Sequence, residues 1–218
     1  MSVLNTKCAS IDKLLGGGIE SSIITKIYGE AGSGKTNFCL QISRNFVDSG
    51  HKIAFIDTEC VSLKRLKQIC DENYNYNKIL DNILFFRPKS FDEQEKMISD
   101  AIQLENVKLI VIDTINMFYR INLENDIEGS MRSFSRQVAN LQIAAMSKDL
   151  YIVLSEQVYT DKKGEIKPFT NRDTEHMAKT ILKLEKIGIG KRKATIMKHR
   201  FQPEGADATF EIKEAGLI

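Results

Sequence analysis

The chain has few of the features that mark secreted, zinc-binding or membrane proteins. It has no run of about eighteen apolar residues and no charged-then-apolar leader, so we expect a soluble, cytoplasmic protein. Its four cysteines lack C-x-x-C spacing and its three histidines are scattered, which predicts reduced thiols and no zinc site. A net charge of only +2 favours no class of partner by itself.

The most informative segment that is present is a glycine-rich loop between a strand pattern at 23–28 and a helical apolar pattern from 37. Its eight residues fit the phosphate-loop pattern G-x-x-x-x-G-K-S/T in the strand–loop–helix context that this pattern requires. They are Gly29, Glu30, Ala31, Gly32, Ser33, Gly34, Lys35 and Thr36.

Each residue type in this loop has its own chemical reason. The glycines let the backbone wrap closely round an anion, and the following helix directs its amino-terminal amides at it. Lys35 is expected to reach the β- and γ-phosphates, and the Thr36 hydroxyl to bind Mg²⁺. The loop therefore predicts binding of a nucleoside triphosphate with Mg²⁺, since a chance glycine turn would not satisfy all these positions.

Strand and helix patterns alternate up to residue 155 and then give way to strands alone. This predicts one α/β domain over 1–218, with a mostly parallel central sheet, helices on both faces and antiparallel carboxyl-terminal strands. Residues 160–173, polar and without an apolar period, are predicted to form a mobile loop. The predicted strands are 23–28, 52–57, 83–86, 107–112, 151–155, 180–186, 193–199 and 208–213, and the predicted helices after the phosphate loop are 63–69, 91–104 and 130–147.

Two acidic residues at strand ends are candidates for the chemistry. Asp113 ends an apolar strand and is predicted to complete the Mg²⁺ site, although such residues can also cap a turn. Two strand patterns lie between Lys35 and Asp113, which implies an extra strand inserted between the strands that carry them. ATPases with that insertion polarise water with a glutamate, and Glu59 is placed to do so; the alternative is a surface glutamate that starts a loop.

Further along the chain, Gln157 follows a strand and precedes the predicted loop. It could bind the γ-phosphate and report its loss to the loop. Lys198 and Arg200 end a predicted strand, where they could stabilise charge on a neighbouring subunit's nucleotide or contact DNA.

The segment 183–200 is strongly basic, with seven Lys or Arg residues against the single acid Glu185. It is either an anion-facing patch, with Lys191, Arg192 and Lys193 as candidate DNA contacts, or a solvated hairpin edge protected by lysines.

Taken together, these strings resemble the RecA/RadA recombinase core, and most closely its archaeal RadB branch. The resemblance covers nearly the whole chain. It is carried by residues 11–20, 29–36, 56–59, 109–113, 155–158 and 202–205.

The resemblance implies a RecA-type ATPase core in which Glu59 activates water and Gln157 is a nucleotide switch. It implies that Arg65 stacks on adenine and that segments after Met117 and after Val158 bind DNA, single-stranded or branched. It also implies a RadA-type recombinase and a junction-processing nuclease as partners. The second segment holds Lys162, Lys163, Lys167 and Arg172.

Several departures from the recombinase pattern argue against one activity of that family, DNA strand exchange. Only 28 residues precede Gly29, so we expect no helix–hairpin–helix domain, and no Phe-x-x-Ala polymerisation string occurs. The first DNA segment, 122–128, has three acids and no base. We therefore expect a weak Mg²⁺-dependent ATPase that assists a recombinase, with little strand exchange and no long filament, although a homo-oligomer is allowed.

Three other functions are alternatives for a chain with this phosphate loop. The Lys-x-Arg-Phe string at 198–201 and the acidic first segment also resemble KaiC, an oligomeric ATP-dependent regulator of protein partners. A small-molecule kinase is disfavoured because no arginine-rich lid follows the core. A GTPase is disfavoured because the N/T-K-x-D string is absent.

Overall fold

The computed structural model describes residues 2–162, 164–170 and 172–218. In chain order the strands are β1 (Val3–Leu4), β2 (Ile19–Glu20), β3 (Ile23–Tyr28), β4 (Lys52–Asp57), β5 (Ile83–Phe86), β6 (Val107–Asp113), β7 (Tyr151–Glu156), β8 (Val158–Thr160), β9 (Ile166–Pro168), β10 (Thr180–Lys186), β11 (Lys191–Lys198), β12 (Asp207–Lys213) and β13 (Gly216–Leu217). The helices are α1 (Ala9–Leu15), α2 (Lys35–Asp48), α3 (Leu63–Cys70), α4 (Tyr76–Asp81), α5 (Phe91–Gln103), α6 (Met117–Asn122), α7 (Ile127–Lys148) and α8 (Arg172–Met177).

Nine of the strands form one central sheet in the order β13-β12-β11-β10-β3-β7-β6-β4-β5. The six strands from β10 to β5 are parallel, whereas β11, β12 and β13 add on as antiparallel strands. This confirms the predicted fold class.

The sheet is covered on both faces because its central strands carry apolar residues on both sides. Every residue of β3 and of β7 is buried. One core includes Phe38 of α2 and Leu182 of β10, and the other includes Phe134 of α7 and Ile24 of β3. Strands buried on both faces are typical of a parallel sheet between helical layers.

The predicted inserted strand is present, and it is β7. It pairs with β3 on one side and with β6 on the other, so it separates the strand before the phosphate loop from the strand that ends in Asp113. The two strands that lie between these in sequence, β4 and β5, pair beyond β6 at the sheet edge. The carboxyl ends of β3, β7, β6 and β4 therefore meet along one rim.

The segment 160–173, predicted to form a mobile loop, contains regular secondary structure in its described part. Val158 pairs with Pro168 and Thr160 with Ile166, which makes β8 and β9 a short hairpin, and α8 begins at Arg172. Three-residue strands with little apolar character are too short to produce a recognisable alternation.

Helix α7 begins earlier than predicted because Asp126 caps it. The Asp126 side chain accepts a hydrogen bond from the Gly129 backbone N–H, 2.9 Å away. One of the three acids expected in a DNA-binding loop is therefore a helix cap. Among the described helices, including this longest one, none is both long and apolar enough to cross a bilayer.

Candidate nucleotide-binding site

The phosphate loop joins β3 directly to α2 and depends on glycine at its turns. Gly32 has φ 72° and Gly34, the residue before α2, has φ 110°. Both lie in the left-handed region that side chains disfavour. The amino-terminal amides of α2 are thus placed beside the loop, as an anion site requires.

Two glycines of the loop, Gly29 and Gly34, also pack closely against the carboxyl-terminal strands. A Cβ added to Gly29 would lie 2.1 Å from the Leu184 carbonyl oxygen, which belongs to β10. One added to Gly34 would lie 2.9 Å from Cδ1 of Ile212, in β12. The antiparallel extension of the sheet therefore packs on the outside of the loop.

The side chain of Lys35 folds back and contacts the backbone of the phosphate loop. Its Nζ donates hydrogen bonds to the carbonyls of Gly29, at 2.7 Å, and Glu30, at 3.2 Å. Burial lowers the pKa of Lys35, and the nearby carboxylates of Asp113 and Glu59 oppose that shift. The amine is thus within electrostatic reach of both acidic candidates.

Asp113 ends β6 and is buried beside the phosphate loop. Its carboxylate accepts hydrogen bonds from the hydroxyls of Ser155 and Thr36. Burial raises the pKa of Asp113, and these hydrogen bonds act in the opposite direction. A carboxylate and a hydroxyl side by side are the hard oxygen donors that suit Mg²⁺, so this pair could hold the ion.

Glu59 and Gln157 meet at the same rim from opposite sides of β6. Gln157 Nε2 donates a 2.6 Å hydrogen bond to Glu59 Oε1, which also accepts from the Thr114 hydroxyl at 3.1 Å. Glu59 is exposed, so a water molecule can reach it. The structure brings together all five residues predicted to surround the phosphates: Lys35, Thr36, Glu59, Asp113 and Gln157.

Asn116, which the sequence did not single out, fixes the backbone of Gln157. Its side chain accepts from the Gln157 N–H at 2.9 Å and donates to the carbonyls of Gln157 and Phe169, both at 3.0 Å. Asn116 is fully buried. The sequence shows only that Asn116 follows Asp113 by three residues; its burial, which obliges the amide to find partners, is visible in the structure alone.

Arg65 is near the phosphate loop but already has several protein partners. Its guanidinium donates to Asn37 Oδ1 at 2.6 Å and to the carbonyls of Lys213 and Glu214 at 2.7 and 2.9 Å. Burial lowers the pKa of Arg65. It therefore links α3 to α2 and to the end of β12, and stacking on a base would require some of these bonds to rearrange.

The basic segment 183–200 does not form one patch. Arg192 lies on the β11 face that also carries the buried Ala194 and Ile196, whereas Lys193 lies on the opposite face. Lys193 Nζ lies 3.6 Å from Glu185, which also pairs with Lys183 at 2.9 Å. The cations on β10 and β11 are thus divided between two faces, and one acid neutralises part of their charge.

Lys198 contacts the carboxyl end of α8 within the same chain. Its Nζ lies 3.2 Å from the Glu175 carbonyl and 3.3 Å from that of His176. Arg200 lies nearby on the surface, lining a cavity of about 890 Å³ together with Met146 and Met177. Neither side chain points into the rim where the phosphate residues meet.

The remaining DNA candidates lie on or near the β8–β9 hairpin. Lys162 is exposed at the hairpin turn. Lys167 pairs with Asp161 at 2.5 Å and with Glu165 at 3.0 Å, and these hydrogen bonds raise its pKa. Lys163 and the side chain of Arg172 lie outside the described residues.

Comparison with known proteins agrees with this architecture. The Rad51 family model matches residues 1–218. The DNA repair and recombination protein RadB of Methanococcoides burtonii is 42% identical over 219 residues, which cover 98% of this chain and 96% of the relative. Its namesake in Thermoplasma acidophilum is 34% identical over 219 residues, covering 98% and 93%.

A crystal structure described as that of the RadB recombinase has the same fold. It superposes with a TM-score of 0.87 at 34% identity and covers 99% of this chain and 98% of that chain. The resemblance inferred from the sequence strings is thereby confirmed. The chain belongs to the Rad51 family and, within that family, to its RadB branch.

Proposed function

We propose that this protein binds ATP with Mg²⁺, hydrolyses it slowly and binds DNA as an accessory of homologous recombination. The observation that carries the proposal is the meeting of Glu59 and Gln157 beside Lys35 and Asp113. A phosphate loop alone predicts binding. An acid and an amide that meet beside the phosphate loop predict turnover and a response to the γ-phosphate.

Each residue has a defined task in this proposal. Lys35 holds the β- and γ-phosphates, and Thr36 and Asp113 hold Mg²⁺, which would neutralise phosphate charge when bound. Glu59 orients the attacking water. Gln157 passes the state of the γ-phosphate to the β8–β9 hairpin, because Phe169 at the end of that hairpin donates its backbone N–H to the Gln157 carbonyl at 3.0 Å.

The residues proposed to bind DNA do not form one continuous surface. The exposed or half-buried cations on β11 and the hairpin, Lys191, Lys193 and Lys162, are spread over separate surfaces, and Lys167 is already paired. A divided surface supports modest, salt-dependent affinity and little strand exchange. We infer action in the cytoplasm beside a RadA-type recombinase, with a junction-processing nuclease as a further partner. The RadB-named relatives support this function over that of a KaiC-like regulator.

The test is DNA binding measured by fluorescence anisotropy over a series of salt concentrations. Single-strand affinity should fall with salt, by about 0.7 in log K per phosphate contact for each log unit of salt. A Lys191→Ala/Lys193→Ala variant should have a shallower slope. Lys64→Ala/Lys78→Ala, which removes two exposed cations elsewhere, should keep the parent slope. Equal slopes in all three proteins would remove β11 from the DNA surface.

A second assay addresses recombination itself. The protein alone should give no strand exchange between homologous single- and double-stranded DNA, and with ATP it should change the rate of a RadA-type recombinase. Efficient exchange by the protein alone, or no effect on the recombinase, would contradict the accessory role.

A further inference from the structure

Arg192, predicted from sequence as a DNA contact, lies against the phosphate loop of its own chain. Its Nε donates a 3.0 Å hydrogen bond to the Gly32 carbonyl oxygen. Its Nη1 donates to the Lys191 carbonyl at 2.9 Å and lies 3.5 Å from that of Gly188. The guanidinium is therefore fixed by the β10–β11 turn on one side and touches the phosphate loop on the other.

Lys186 is the cross-strand partner of Arg192, and the end of its side chain also lies beside Gly32. The two residues are paired in register between β10 and β11, so their side chains share a face. A Cβ added to Gly32 would lie 2.9 Å from Cε and Nζ of Lys186. Two cations from the antiparallel extension thus reach the turn of the loop that Lys35 completes.

The hydrogen bond from Arg192 to the Gly32 carbonyl favours phosphate binding by the loop. A backbone carbonyl turned towards a bound phosphate would repel it, and an arginine that holds the carbonyl on the outer side of the loop prevents this. A positive charge so near the loop also attracts a polyanion, and arginine is well suited to that task because its charge is permanent and its donors are fixed in a plane.

We propose that Arg192, assisted by Lys186, is a positioning residue of the nucleotide site in the same chain and serves the triphosphate group. The proposal rests on the proposed ATP binding and extends it: the carboxyl-terminal hairpin becomes part of the phosphate site. It also removes Arg192 from the DNA surface, leaving Lys191 and Lys193 as the β11 candidates.

The test uses inorganic tripolyphosphate as the probe, with affinity measured by calorimetry in Mg²⁺ buffer. Arg192→Ala should weaken binding about tenfold, the size expected for one charge-assisted hydrogen bond. Arg192→Lys should recover part of the loss. Lys52→Ala is the control, because it removes an exposed positive charge at the amino end of β4, away from the rim that holds the phosphate loop, and it should stay within about twofold of the parent.

Two further measurements distinguish positioning from general support of the fold. The melting temperature of the ligand-free Arg192→Ala variant should match that of the parent, and its DNA salt slope should be unchanged. If this variant fails to fold, Lys186→Ala provides the second test at the same glycine and should weaken tripolyphosphate severalfold.

The outcomes separate this inference from the proposed function. Equal weakening by Arg192→Ala and Lys52→Ala, or none by Arg192→Ala and Lys186→Ala, would overturn the positioning role while ATP binding stands. If the parent protein bound neither tripolyphosphate nor ATP, the proposed function itself would fail.

Discussion

Gln157 and Glu59 are joined by a 2.6 Å hydrogen bond between Nε2 and Oε1 that spans the end of β6. They lie just after β7 and β4, the two strands that flank the strand of Asp113. A group that binds between them and Lys35 must meet both. The bond therefore couples the proposed water-orienting acid to the residue that leads into the β8–β9 hairpin.

Gln157→Ala tests this coupling. ATP affinity should stay within about threefold of the parent, whereas hydrolysis should fall at least about tenfold, because Glu59 loses the group that orients it. Gln103→Ala, at an exposed position at the end of α5, is the control and should leave both unchanged. Equal loss of binding and turnover in Gln157→Ala would indicate a structural role.

Asp113→Asn should separate stability from metal binding. Burial raises the pKa of Asp113, which means that the folded protein holds its charge at a cost. Removing that charge should increase the ligand-free unfolding free energy by about 1 kcal/mol, a gain common at active-site residues. In urea titrations the variant should be more stable, and in calorimetry Mg²⁺ should no longer strengthen ATP binding.

The buried ion pair of Lys26 and Glu156 should be expensive to break. Nζ and Oε2 lie 3.1 Å apart, and each side chain is 2% exposed. Lys26→Met leaves a buried unpaired carboxylate and should lower the unfolding free energy by about 3–5 kcal/mol. Lys26→Met/Glu156→Leu should recover most of it, since apolar groups of similar size need no partner.

The same pair predicts a pH dependence. Burial raises the pKa of Glu156, and Lys26 opposes the shift. Without Lys26 this pKa rises further, so the Lys26→Met variant is least stable where Glu156 is ionised. Its deficit relative to the parent should shrink as pH falls through the raised pKa. A deficit that stayed constant with pH would show that packing, not charge, is lost.

Gly29→Ala should distort the phosphate loop, because the new methyl group would clash with β10. The new methyl group would lie 2.1 Å from the Leu184 carbonyl, a backbone atom that cannot move away cheaply. We expect loss of ATP binding and a fall in melting temperature of several degrees. Gly188→Ala is the control, because its nearest neighbour would be 3.8 Å away. Normal nucleotide binding by Gly29→Ala would show that β10 does not support the loop.

Local patterns were enough to predict most elements and the phosphate residues. The strand–loop–helix at 23–42 and the strand-end positions of Glu59 and Asp113 follow from periodicity within short windows. Because parallel strands place their carboxyl ends together, the sequence alone predicts that residues at those ends lie close to one another.

The arrangement of the strands could not be predicted from such windows. That β7 is the inserted strand depends on long-range packing of two cores, which no segment encodes alone. The bulge between Ile181 and Leu182, which resets the β10–β11 register, likewise has no local signature.

The division of the basic segment 183–200 between two faces could be predicted from the sequence. Side chains alternate along a strand, so Arg192 and Lys193 had to face opposite sides. The net charge of the segment does not show this division. That Arg192 then meets Gly32 depends on β10 pairing with β3, a contact between distant parts of the chain.

The most direct measurement of the central claim is one titration of ATP in Mg²⁺ buffer, followed by turnover, on three proteins. The parent should bind and hydrolyse ATP slowly, Lys35→Ala should not bind, and Glu59→Gln should bind like the parent without turnover. Binding by Lys35→Ala equal to that of the parent, or turnover by Glu59→Gln at the parent's rate, would contradict an ATPase site built from the 29–36 loop and Glu59.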